Sequence, residues 1–409
     1  MNGNGTGTEG AATAFTTAVA TRRRPEPGHA ELRPAEPRPA RHRVLLAPVT
    51  VTPSKPLTPS HLKGLLWSDV MYRATRHVAD VTLRYSHTTY HPTEQTLGFW
   101  EFLDRRYGDM GYSSLDERDI GELYVAFRAA DEKVPAAALR PYAQAVEDGW
   151  THPVAVAVLR IWAGQYTELG LTDPGLLAHQ PPGLGLTEVV ARLDALGMCL
   201  DQRALGGPVY LDLTRHGLPL RTLVSADGRP NYLACALREL LPLAPEYDEV
   251  VLLYDSQLDP DYQRLARVLT ALGPTVVRIP VGRVPIDGTI RSAREGGWRD
   301  HDARALLAAA RSGHSPEAVR LGMRLYFVAV LGPGQAESYR PDLLHQCLGR
   351  AERLLAAADA DPEPSAPPLA ERVARHRGSH LHIDPYRLTS SLLGRRRRPS
   401  GDLLTGVYL

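Results

Sequence analysis

The most constraining feature is a short run of local structure near residue 44. Val44-Leu45-Leu46-Ala47-Pro48-Val49-Thr50-Val51 is an unbroken apolar stretch, too short for a buried helix and rich in β-branched residues. A loop of Pro, Ser and Thr follows. The spacing of Leu62, Leu65, Leu66, Val70 and Met71 then predicts a helix over about 61–77. Val81-Thr82-Leu83-Arg84-Tyr85 reads as a second strand. An apolar strand, a loop, an amphipathic helix and another strand open a parallel α/β sheet, in which the first strand is covered on both faces.

The rest of the chain fits that beginning. Residues 94–200 read as mostly helical, with a buried helix around Val154–Trp162. Strands are expected at 209–213 and 220–225, a helix from about Asn231 to Leu240, and a strand at Val250–Tyr254. A helix at about 260–272 and a strand at Thr275–Ile279 complete the alternation, and helices fill about 299–358. Residues 1–42 carry Gly, Thr, Ala, Pro and Arg with few large apolar residues, the composition of a disordered tail. Residues 360–409 read as a linker and a basic tail ending in Arg395–Arg398.

Composition narrows the setting. A formal net charge of +1 gives no global pull toward nucleic acid. Only three lysines, Lys55, Lys63 and Lys133, stand among 47 basic residues, so two of them eight positions apart are conspicuous. The three cysteines are far apart, against a zinc ribbon or disulfide scaffold. No segment has the apolar length of a membrane helix and none reads as a signal peptide, so the expected address is the cytoplasm.

The chemistry concentrates in three segments. Lys55-Pro56-Leu57-Thr58-Pro59-Ser60-His61-Leu62-Lys63-Gly64 lies between the first strand and its helix. In open α/β sheets ligands bind there, and a helix start attracts phosphate. Thr58, His61 and Lys63 offer donors to a triphosphate; the alternative is an ordinary helix start capped by Ser60. The second segment runs from Gly206 through Ser225-Ala226-Asp227-Gly228-Arg229-Pro230-Asn231-Tyr232-Leu233 to Asp255-Ser256-Gln257; its Asp227-Gly228 also reads as a plain turn. The third is Ile286-Asp287-Gly288-Thr289-Ile290-Arg291-Ser292-Ala293-Arg294-Glu295-Gly296-Gly297, which also reads as a surface loop.

These segments resemble the catalytic domain of class I aminoacyl-tRNA synthetases, arginyl-tRNA synthetase above all, over roughly residues 44–358. Lys55-Pro56 and His61-Leu62 match the signature in register, Lys63 stands for its basic residue and Asp69 for its later acid. Thr58 replaces the first signature His and Ser60 the signature Gly. The third segment falls where the family carries its mobile lysine loop, with Arg291 or Arg294 in the lysine's place. The resemblance implies a Rossmann-like (HUP) parallel sheet over 43–310 with a helical insertion at about 94–200, then a helical stem at 311–359. No length remains for an anticodon-binding domain.

It also implies a set of roles. His61, Lys63, Arg291 and Arg294 would be catalytic. Thr58, Ser60, His61, Lys63, Asp255 and Ser292 would hold ATP, with Mg as its counter-ion. Thr52, Asn231, Tyr232 and Gln257 would hold the acyl substrate. The expected reaction is activation of an amino acid or related acid as an acyl-adenylate, with transfer to tRNA or a small-molecule amine. The family's guanidinium-reading acids are replaced by Ala47 and Ala236, which argues against arginine, because a buried guanidinium needs a carboxylate. A non-catalytic paralogue binding nucleotide, amino acid or a partner protein, and an unrelated α/β nucleotide-binding protein, are the alternatives. His87 with His91, and His380 and His382 with Asp384, are incomplete as metal sets and read as surface or nucleotide-side histidines.

Overall fold

The computed structural model describes residues 41–292, 295–334, 337–360, 367–394 and 399–409. Residues 1–40 of the tail expected over 1–42, Arg294, the linker residues 361–366 and Arg395–Arg398 lie outside the described residues.

The first unit forms as its pattern dictates. Strand β1 (Arg43–Pro48) runs into helix α1 (Pro59–Thr75) and strand β2 (Asp80–Leu83). Val44 and Leu46 of β1 enter one apolar cluster, Leu45 and Ala47 a second one on the other face. That is the physical meaning of its unbroken apolar run. Five helices follow: α2 (Glu94–Tyr107), α3 (Glu117–Ala130), α4 (Ala136–Glu147), α5 (Pro153–Leu169) and α6 (Leu186–Ala195).

The strands expected at 209–213 and 220–225 do not extend the parallel sheet. Strands β3 (Cys199–Asp201), β4 (Val209–Leu211) and β5 (Arg221–Val224) form a separate antiparallel sheet. The reason is connection length: the segments joining them are too short for a parallel crossover. The chain then passes through α7 (Tyr232–Leu240) into β6 (Glu249–Asp255), α8 (Asp259–Thr270) and β7 (Thr275–Val281).

The parallel sheet has four strands in the order β2-β1-β6-β7. Its two helical connections take opposite faces. Leu62, Leu65 and Leu66 of α1 join the first cluster, while Tyr262, Leu265 and Val268 of α8 join the second. The switch point therefore lies between β1 and β6, where the loops leaving the two strands diverge and open a crevice.

The stem contains α9 (Ala303–Arg311), α10 (Pro316–Arg324), a π-helical turn (Leu325–Val330) and α11 (Pro341–Ala360). The segment expected to be a tail folds instead. Helices α12 (Leu369–Ala374), α13 (Pro385–Ser390) and α14 (Gly401–Leu403) follow, and α13 and the closing turn Leu404–Tyr408 pack on α1. Val373, Ile383, Leu388, Val407 and Tyr408 are buried in the first cluster, and Tyr386 stacks on Trp67 of α1. The basic residues dominate this composition, but the apolar residues between them, in pieces too short to show periodicity, form a core face. The described residues from Arg41 to Leu409 make one compact unit.

Asp69 ties these layers together. Its carboxylate accepts from Arg324 at 2.5 Å and Arg73 at 3.2 Å, and from the backbone N–H and hydroxyl of Thr172. Arg324 is fully buried and also donates to the carbonyls of Leu169, Arg320 and Gly170. The acid matched to the class I signature is thus a buried brace between helix, insertion and stem. Among the described residues no helix is long and apolar enough to cross a membrane.

Candidate functional site

A cavity of about 470 Å³ occupies the switch point. Its floor is the pair of loops leaving β1 and β6, and α1 points its N-terminus into it. Thr58 is the N-cap: its Oγ1 accepts the His61 N–H at 3.4 Å, and the His61 Nδ1 accepts the Thr58 N–H at 3.1 Å. Ser60 is therefore not the cap. It sits inside the first turn, and its hydroxyl accepts the Val284 N–H at 3.0 Å, joining the helix start to the loop after β7.

The reciprocal cap fixes the chemistry of His61. An Nδ1 that accepts cannot carry the proton, so the neutral ring holds it on Nε2. Burial, with Lys55 and Arg283 nearby, lowers the pKa to about 3. His61 is thus a neutral N–H donor on the cavity wall across the physiological range.

The lining carries three cationic side chains, Lys55, Arg283 and Arg291, against one acid, Asp255. Asp255 is already engaged: it accepts the Gln257 N–H and pairs with Arg283. Lys55 lies over the Tyr124 ring at 5.1 Å. The lining also includes Thr52, Gln95, Tyr232 and Gln257, polar but uncharged. A cleft of this size with a net positive lining, a helix N-terminus and a neutral N–H donor suits an anionic nucleotide.

No protein-family model matches the sequence, and no curated protein matches it. Solved structures do. The arginyl-tRNA synthetase of Thermus thermophilus superposes with a TM-score of 0.60 at 15% identity, over 91% of this chain and 75% of that one. The arginyl-tRNA synthetase of Plasmodium falciparum gives 0.49 at 9% identity, over 78% of this chain and 58% of that one. The fold is that of a class I aminoacyl-tRNA synthetase catalytic domain.

Within the class I fold, the cleft brings together Thr52, Thr58, Ser60, His61, Tyr232, Asp255, Gln257, Arg291 and Ser292 of the residues singled out by sequence. Two others lie elsewhere. Lys63 is two residues beyond His61, so the helical turn carries it off the cleft face. It is 1% exposed, and its ammonium donates to the Gly334 carbonyl at 2.6 Å, with burial lowering its pKa to about 8. Asn231 is the N-cap of α7, accepting the Ala234 N–H at 2.8 Å and donating to the Thr222 carbonyl. It borders a second groove beside the first.

The Asp287-Gly288 segment forms a tight two-residue turn between Ile286 and Thr289, with both central residues at positive φ. Arg291 pairs with Asp287 at 2.7 Å. Gly297 is there for space: a Cβ on it would stand 2.6 Å from the Arg291 Cβ. Asp227-Gly228 is likewise a turn, closed by the Ser225 N–H to the Arg229 carbonyl. His87 and His91 are buried and off the cleft lining, not surface or nucleotide-side. Asp384 caps α13.

Sequence reasoning missed Arg283 and Gln95. Arg283 lies just past the end of β7, where the rule that ligands gather at the carboxyl ends of parallel strands would have found it. Gln95 comes from the insertion, and nothing local in the sequence marks it.

Proposed function

We propose that this chain activates an amino acid or related carboxylic acid with ATP. The carboxylate oxygen attacks the α-phosphorus, the bond to the β-phosphate breaks, and pyrophosphate leaves. An amine nitrogen or a tRNA ribose hydroxyl then attacks the acyl carbon and AMP departs. The cleft lining carries this reading: three cations and the His61 N–H line a space with one acid, which Arg283, one of the three, already engages. Fixed donors placed where negative charge builds on the leaving group lower the barrier. Magnesium enters with the triphosphate as its counter-ion. The neutral polar lining residues Thr52, Gln95, Tyr232 and Gln257 suit an uncharged polar substrate side chain.

Arginine is not the substrate in this reading. Ala47 and Ala236 stand where the resemblance puts carboxylates, and both are buried in the second apolar cluster. The burial of Lys63 and the Arg291–Asp287 pair favour a second reading, a paralogue that binds nucleotide without turning it over. Pyrophosphate exchange screened over all amino acids separates the two. Exchange with one uncharged amino acid, and arginine at background, supports the enzyme. ATP binding with no exchange for any acid supports the binding paralogue, and strong arginine-dependent exchange refutes the assignment of substrate class.

A further inference from the structure

Glu249 opens β6 at the end of the sheet away from the cleft. It is 2% exposed and is followed by five apolar or aromatic residues, a costly position for a carboxylate. Among the described residues the basic side chains that reach it are imidazoles, not arginine or lysine. His382 Nδ1 lies 2.7 Å from Oε1 and His380 Nδ1 3.8 Å from Oε2. The backbone N–H groups of Leu381 and His382 donate to the same carboxylate at 3.0 Å each. His380 and His382 lie in a bend, and the carboxylate's contacts with the Leu381 and His382 N–H groups bring both side chains to the same side. Their rings stack at 5.0 Å, with both Nδ1 atoms toward the carboxylate.

We propose that Glu249, His380 and His382 bind a transition-metal dication of the zinc class and so clamp the C-terminal segment to the sheet. The three ligand atoms already lie within 4.8 Å of one another. Tetrahedral zinc, with bonds of about 2.0–2.2 Å, needs ligand atoms about 3.3 Å apart. The present 2.7 and 3.8 Å bracket that value. His380 is half-exposed, and its open side leaves the fourth position to water. Two imidazoles and one carboxylate select zinc, cobalt or nickel over magnesium or calcium, which prefer all-oxygen sets. A hydrogen bond alone accounts for His382, but not for a second imidazole aimed at the same buried carboxylate. The clamp would hold in place the segment that covers α1, beginning at Ile383, whose N–H donates to Thr75 at the end of that helix.

The test uses the full chain, stripped with a chelator and titrated with Zn²⁺ by calorimetry and with Co²⁺ by visible absorption. One equivalent should bind, with the ligand-field bands of a four-coordinate site and a rise in Tm. His380→Ala removes an exposed ligand without touching the core, so it should fold. It should weaken binding by about 100-fold or more and abolish both the bands and the Tm rise. A wild-type chain that takes up no metal, or a His380→Ala chain that binds as the wild type does, overturns the site. His382→Ala is the weaker variant, since it also removes a buried hydrogen bond.

Discussion

Replacing His61 by alanine separates its two roles, because each has its own magnitude. The Nδ1 acceptor satisfies the Thr58 N–H in a reciprocal cap. Losing such a cap costs about 1 kcal/mol, small against the roughly 5–15 kcal/mol that holds a domain together. The variant should fold, with a Tm lower by about 2 °C. The Nε2–H has a larger effect. A hydrogen bond to a charged oxygen contributes about 1.5–3 kcal/mol, so ATP affinity should fall roughly 10- to 150-fold. His61→Gln is the control: glutamine is the usual partner in a capping box, so the Tm should recover while affinity does not. Because the ring stays neutral down to about pH 3, wild-type ATP affinity should show no loss of a cationic donor as pH rises through 6.5. Calorimetry with ATP and a thermal melt on the three proteins decide the matter. A folded His61→Ala chain that binds ATP like the wild type refutes the placement of the site.

Lys63→Met should leave ATP affinity within about 2-fold, since the ammonium is engaged at Gly334 and not in the cleft; a loss beyond about 10-fold in calorimetry would show that Lys63 reaches the nucleotide. Asp69→Asn leaves the fully buried Arg324 without its carboxylate and should cost about 3–5 kcal/mol in urea unfolding, with a change below about 1 kcal/mol removing it as a brace. Arg291→Ala should slow single-turnover adenylation by about 10-fold or more with ATP affinity little changed, because charge on the leaving group builds in the transition state; a wild-type rate takes the loop out of the mechanism. Acid should destabilise the fold below neutral pH. The unfolded chain protonates its histidines near 6.5, whereas folded His61 and His91 resist to about 3 and His87 to about 4, so stability falls as pH drops from 6.5 toward 3. Glu117, raised to about 7 by burial, runs the other way between 4.5 and 7, but one carboxyl opposes three histidines. Unfolding free energies measured from pH 7 to 4 that stay flat or rise would contradict those burials.

The parallel strands were legible because burial on both faces leaves an unbroken apolar run, and β1 and β6 carry such runs. Their partner helices were legible from spacing. Of the antiparallel sheet, β4 and β5 were legible as strands, but β3 and the antiparallel pairing were not, because these strands are three or four residues long and take their pairing from connection length. The C-terminal cover was hidden for a related reason: its apolar residues are scattered over helices of three to six residues among arginines. At the site, sequence located the helix start and both loops of the switch point. It could not tell which side of α1 each donor faces. His61 and Lys63 are two positions apart, about 200° around the helix, so when one faces the cleft the other cannot. Glu249 escaped notice because its two histidine neighbours lie more than 130 residues away in the chain.

The substrate question rests on the same geometry. Ala47 shares an apolar cluster with Leu252, its partner on β6, and Ala236 shares it with Leu233 and Leu237 of α7. A carboxylate at either position would enter that packed apolar cluster, at a cost of several kcal/mol unless paired. The two positions are therefore not vacant seats awaiting an acid; methyl groups there are part of the core that supports β1 and α7. Arginine recognition would need both acids, space around them and the guanidinium itself to arrive together, and no single substitution supplies that. What lines the cleft instead is the neutral quartet of Thr52, Gln95, Tyr232 and Gln257. Neutral hydrogen-bonding walls reject charged side chains through desolvation and accept those whose amides or hydroxyls can be paired. On the proposed reading, selection in this cleft would fall to an uncharged polar acid, leaving Lys55, Arg283 and Arg291 for the phosphates.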